Sequence, residues 1–173
     1  MKAALRVLNE LEDEGILGRY AIGGAMGALF YAEPVTTFDL DIFVVLPQGE
    51  SGLISLEPLY DALRRRGYKP GEYVEIEGVP VQILPAYNAL LEEALAQART
   101  EDLEGVATRI LKVEHLIAIA VQTNRPKDRL RVQTLLKEGN PDWAALGEIC
   151  HRHGLKPPAL DDEGEAIWTP PKS

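Results

Sequence analysis

Residues 38–46 read Phe-Asp-Leu-Asp-Ile-Phe-Val-Val-Leu, and 20–25 just upstream read Tyr-Ala-Ile-Gly-Gly-Ala. A strand turns successive side chains to opposite faces, so residues two apart share one. Phe38, Leu40 and Ile42 therefore fill one face of the later stretch, and Asp39 and Asp41 stand together on the other. Two neighbouring carboxylates in an apolar strand repel each other and resist desolvation. A divalent cation, Mg2+ or Mn2+, is the usual remedy, which makes Asp39 and Asp41 candidate metal ligands. The earlier stretch is an apolar strand that breaks into Gly23-Gly24 before a helix-like segment. Such a turn lets backbone N–H groups approach a phosphate. Metal carboxylates beside a phosphate cradle point to chemistry on a nucleoside triphosphate.

The surrounding pattern predicts an α/β half followed by a helical half. Ala4, Leu5, Leu8 and Leu11 share a face of a helix over 2–14. Strands follow at 19–23 and 38–46, the second led in by Thr36-Thr37 and closed by Pro47, with a helix over 25–31 between them that Pro34 stops. A PQGESG loop leads to a helix over 56–66. Segments 73–76 and 79–84 alternate around Glu77-Gly78 as a hairpin. Asn88 N-caps a helix over 88–98, 106–111 adds an edge strand, and helices run over 113–123, 126–138 and 142–152. The tail from Leu155 is rich in Pro and acidic residues and is expected to be extended or mobile. The expected units are thus an α/β core at 1–111, a helical extension packed on it at 112–154, and an acidic tail at 155–173.

Bulk composition narrows the function. Of 173 residues, 46% are apolar and 26% charged, ordinary for a globular protein. A net charge of −9 disfavours broad binding to nucleic acid, which needs a positive surface. One cysteine, Cys150, excludes an internal disulfide and fits a reducing cytoplasm. No stretch reaches the ~18 apolar residues of a membrane span, and the amphipathic start of the chain does not read as a signal peptide.

Taken in order, the strand, Gly23-Gly24, a spacer and Asp39-x-Asp41 resemble the signature of the DNA-polymerase-β-like nucleotidyltransferase superfamily. The threonine lead-in is similar to small bacterial members, of the abortive-infection toxin and minimal antitoxin types. The stretch EHLIAIAVQTNRPKDRLRVQTLL, at 114–136, resembles the aliphatic helix, R-x-K-D and second helix that follow the core in several of them. The resemblance implies a small mixed β-sheet flanked by helices, with a C-terminal helical extension. It also implies transfer of a nucleoside monophosphate from an NTP to a hydroxyl of RNA, protein or a small molecule. Phosphates would lie over Gly23-Gly24, with Arg125 and Lys127 as further nucleotide contacts, and Asp39 and Asp41 would be catalytic through the metal. A protein partner, as in a toxin–antitoxin pair, or self-association would accompany such a role.

The chain departs from that signature in four places. Fourteen residues separate Gly24 from Asp39, a long spacer. The second motif position is Gly24 rather than Ser. Glu33, Pro34 and Val35 stand where an arginine is frequent. Gln82 stands where a later strand would carry the third carboxylate, so Glu75, or else Glu77, becomes the substitute metal ligand. The alternative function is a binding or regulatory protein that keeps the fold without turnover; an unrelated interaction domain is a third reading.

Other conspicuous residues have plainer readings. Asp128 reads as part of an ion-pair cluster, and Arg64, Arg65 and Arg66 as a solvated helix end. Arg109 and Lys112 could each reach an anion. His115 reads as a packed histidine, Phe30 and Tyr31 as core, and Trp143 as the anchor of the last helix. Cys150, His151 and His153 on one helix end point apart and do not make a zinc site. Trp168 in the tail is available to dock.

Overall fold

The computed structural model describes residues 1–32, 39–46 and 55–167. Pro34, Thr36-Thr37, Phe38, Pro47, the PQGESG loop and Trp168 lie outside them. The elements run α1 Lys2–Asp13, β1 Tyr20–Ile22, α2 Gly24–Ala28, β2 Leu40–Val44, α3 Glu57–Arg65, β3 Val74–Ile76, β4 Val79–Pro85 and α4 Ala89–Ala96. There follow β5 Arg99–Leu103, β6 Val106–Ile110, α5 Val113–Thr123, α6 Pro126–Glu138, α7 Trp143–Arg152, β7 Ala159–Leu160 and β8 Ala166–Ile167.

Six strands form one mixed sheet in the order β3-β4-β2-β1-β6-β5. The central pair β1/β2 is antiparallel, while β2/β4 and β1/β6 are parallel. Hairpins add β3 and β5 at the edges. Both hairpins turn on two residues with positive φ, Glu77-Gly78 (51° and 75°) and Glu104-Gly105 (56° and 81°). That geometry matches the right-handed twist of the paired strands.

The alternation in β2 divides the core. Leu40, Ile42 and Val44 join Tyr20, Ile22 and Val81 beneath α1 and α3. Ala21 and Phe43 face the other way, into a cluster built from α4, α5, α6 and α7. Asp41 lies on this second face, with Phe43. The helical half thus covers the sheet face that carries the acidic motif.

Four sequence expectations change. Segment 106–111 is not an edge strand: β6 lies between β1 and β5. The true edge, β5, reads Arg-Thr-Glu-Asp-Leu, and its exposed, charged residues hide any strand pattern. The helix over 88–98 ends at Ala96 to make room for it. In the tail, β7 and β8 pair as a small hairpin against α6, where Glu165 receives hydrogen bonds from Lys137 (2.7 Å) and Gln133. Trp143 is 47% exposed, and α7 is anchored instead by Leu146, Ile149 and Cys150.

Candidate functional site

Strand pairing brings the glycine turn onto the acidic motif. Ile22 pairs with Ile42, and Gly23 N–H donates to the Asp41 carbonyl at 2.9 Å. A Cβ on Gly23 would lie 2.4 Å from the Phe43 ring. Gly24 has φ +57°, and a Cβ there would lie 1.8 Å from Asp41 Oδ2. The carboxylate therefore occupies the volume that any other residue at 24 would claim. Its second oxygen, Oδ1, is buried and has no hydrogen-bond partner among the described residues. An acceptor left bare in this way is costly unless something else binds it. Burial, and then the charge of Asp39, push the Asp41 pKa above the usual carboxylate range; Arg131, Lys127 and Arg125 pull the other way.

Across the sheet, the register partner of Asp41 is Gln82. Glu75 pairs with Pro80 on the outer strand and shares the Asp41 face by alternation, but it is exposed and does not line the cavity at Asp41. Glu77 sits in the hairpin turn and accepts from the Tyr68 hydroxyl at 2.7 Å. Among the described residues no three His, Cys, Asp or Glu side chains come close enough to share a metal ion, so the structure does not bring Glu75 to the aspartates.

The helical half supplies the opposite wall. Helix α5 stops at Asn124 in the left-handed conformation (φ 48°), and Pro126 starts α6. Asp128 is fully buried here. It accepts from Thr123 Oγ1 (2.8 Å), from Arg125 Nε (2.7 Å) and from Arg131 Nη1 (3.2 Å). Burial works to raise the Asp128 pKa, but the hydrogen bonds from Arg125 and Thr123 outweigh it and hold the carboxyl below its ordinary value. Asp128 is thus the structural ion-pair residue expected of it, and it orients two arginines toward Asp41. Arg125, Lys127 and Arg131 all line the cavity that contains Gly24, Asp41 and Gln82. That cavity measures about 50 Å3. Ligand pockets run ~300–1,000 Å3, so only a small part of a nucleotide could enter it.

Sequence reasoning missed two residues here. Arg131 follows Lys127 by four positions and Asp128 by three, spacing that puts it on their helix face. Tyr73, 40% exposed, immediately precedes β3; with Val74 paired to Val81, it extends the row of Gln82 and Asp41 on one sheet face. Burial, then the charges of Asp39 and Asp41, raise its phenol pKa.

Residues outside the site take structural roles. Arg109 makes a two-pronged ion pair with Glu12 (2.8 and 2.9 Å). The Tyr31 hydroxyl donates to the Leu111 carbonyl. Arg64 pairs with Asp61 and Arg66 with Glu14 at the α3 end. His115 is fully buried against Glu93, which also receives Arg152 and His153.

No protein-family model matches the sequence, and no curated protein does. Solved structures do match. An antigenic nucleotidyltransferase-like protein from Paracoccidioides brasiliensis aligns at a TM-score of 0.53 and 12% identity, over 88% of either chain. The chain has the nucleotidyltransferase fold. ANT(2'')-Ia in complex with adenylyl-2''-tobramycin aligns at 0.48 and 18% identity, covering 86% of this chain and 98% of that one. The mixed α/β sheet and its helical cover agree with the architecture that the sequence resemblance implied. None of the described helices is long and apolar enough to cross a membrane.

Proposed function

We propose that the chain is a metal-dependent nucleotidyltransferase, moving a nucleoside monophosphate from an NTP to a hydroxyl acceptor. One observation carries this reading: Asp41 is seated in the gap left by Gly24, with a buried oxygen that no group among the described residues satisfies. A hard divalent cation fits that oxygen and relieves the repulsion from Asp39. Asp39 and Asp41 are the proposed holders of Mg2+ or Mn2+, which when bound supplies charge to neutralise the phosphates. Gly23-Gly24 offers backbone to the phosphates, and Arg125 and Lys127 add positive charge at the same cavity. The acceptor hydroxyl oxygen attacks the α-phosphorus and gives up its proton to solvent, the bond to the bridging β-phosphate oxygen breaks, and pyrophosphate leaves with that electron pair. The acceptor, whether RNA, protein or small molecule, is not specified by the fold.

Calorimetric titration with Mg2+ and each NTP tests the reading. Magnesium-dependent binding that vanishes in the Asp39→Ala/Asp41→Ala variant is the expected result. Absence of binding to the wild type at millimolar nucleotide would sink it. Pyrophosphate release with candidate acceptors then separates an enzyme from a binding protein.

A second reading keeps the nucleotide site without turnover, as a regulatory protein with a partner in a toxin–antitoxin pair. The observation that favours it is Gln82 in register with Asp41, a neutral side chain where the resemblance implies a third carboxylate.

A further inference from the structure

Resting on the nucleotidyltransferase reading, we propose that the acceptor reaches Asp41 from the β4 and β3 side, held by Gln82 and Tyr73, and that it is a small ring compound whose hydroxyl is not part of a phosphate chain.

The sheet sets the direction of attack. The attacking and leaving oxygens at a phosphorus lie roughly in line. Pyrophosphate over Gly23-Gly24 departs on the β1 side of Asp41, where α6 packs against α2. The hydroxyl then comes from the opposite side, and strand order makes that side β4 followed by β3.

A row of side chains on one sheet face waits there. Gln82 is in register with Asp41 and lines the same cavity. Its amide can both donate to and accept from a hydroxyl, whereas an ionised carboxylate only accepts. Tyr73 is next in the row, set by the pairing of Val74 with Val81. The helical cover that buries Phe43 reaches Leu84 on β4 but leaves Tyr73 40% exposed. Two strand spacings, about 10 Å, separate Tyr73 from Asp41. One ring fits that interval, stacked on the phenol with its hydroxyl toward the α-phosphate.

Charge selects against a nucleic-acid acceptor. Arg125, Lys127 and Arg131 lie on the α6 wall of the cavity. Beside Tyr73 stand Glu72 and Glu75, both exposed. Within a Debye length of about 10 Å, two carboxylates repel the phosphates of an incoming strand. A neutral or cationic ring meets no such repulsion.

Product mimics test this without knowledge of the natural acceptor. Calorimetry with Mg2+ and the full chain compares methyl and benzyl esters of the four nucleoside 5′-monophosphates, which carry equal charge. For the nucleotide that binds best, the benzyl ester should bind about tenfold tighter than the methyl ester. That ratio should fall toward one in Tyr73→Ala and persist in Tyr73→Phe. Lys127→Ala should weaken both esters alike and keep the ratio. The 5′-phosphorylated dinucleotides that an RNA acceptor would yield should bind no tighter than the methyl ester. Equal affinity of the two esters for the wild type, a benzyl gain that survives Tyr73→Ala, or a dinucleotide that binds tighter than the benzyl ester would overturn the proposal and leave the nucleotidyltransferase reading intact. A wild type that binds neither esters nor NTP would overturn both.

Discussion

Ionising Asp41 costs the folded chain stability. Its folded pKa is raised, so the stability tied to its protonated form is present below the ordinary carboxylate pKa and is lost as pH rises through the shifted value. Asp41→Asn should therefore raise the metal-free melting temperature by a few degrees at neutral pH, and by progressively less on acidification, while abolishing metal-dependent nucleotide binding. Scanning calorimetry at several pH values, beside the binding titration, checks both halves. Gly24→Ala should shift stability the other way. Strain at φ +57° and the collision with Oδ2 predict a loss of about 1–3 kcal/mol in chemical denaturation, together with loss of binding. Tyr73→Ala should raise KM more than it lowers kcat, and Tyr73→Phe should restore most of the loss if the ring face is what contacts substrate.

At the scale of elements, the junction between α5 and α6 depends on one buried carboxylate. Asp128→Ala removes the partner of Thr123, Arg125 and Arg131 at once. Breaking a buried charge network of this kind costs about 3–5 kcal/mol, measurable as a lower denaturation midpoint. A second clasp joins α4, α5 and α7 through Glu93. Hydrogen bonding from Arg152 lowers the Glu93 pKa to about 2, whereas burial of His115 outweighs its contact with Glu93 and lowers the histidine too. Both shifts have the same sign for stability. The His115 contribution is present above its unfolded pKa near 6.5 and fades as pH falls below it; that of Glu93 is present above about 4.5 and fades toward 2. Melting temperature should decline in two stages on acidification, with the upper stage missing in His115→Gln. Sequence legibility also divides at this scale. Strand β2 could be read because its apolar residues alternate with two aspartates, and α5 to α7 because their apolar periodicity is long. Strand β5 could not, because its charged residues gain their ladder only from β6. Arg131 was hidden for a similar reason: its importance comes from α6 packing beside β2, a contact that no local pattern announces.

For the molecule as a whole, the helical half and the sheet share one apolar cluster that includes Ala21 and Phe43 with residues of α4 to α7. A fragment ending at residue 111 would expose that sheet face, and it should lack cooperative unfolding by circular dichroism. The sheet order puts β2 between β1 and β4, so the glycine turn and Gln82 come to Asp41 from opposite sides. The sequence alone could pair the motifs but not decide this lateral placement, which depends on long-range strand pairing. It could likewise name Glu75 as a substitute ligand, because face is a matter of local alternation, while distance from Asp41 is set by the sheet.

The fit between Gly24 and the Asp41 carboxylate also has a consequence for descent. A side chain can enter position 24 only after the carboxylate at 41 has gone or turned away, so the two positions should change together. In a lineage released from nucleotide chemistry, Asp41 would drift first and Gly24 would follow. A relative that still carries the aspartate should still carry the glycine, and one with alanine at 24 should be read as having left the trade.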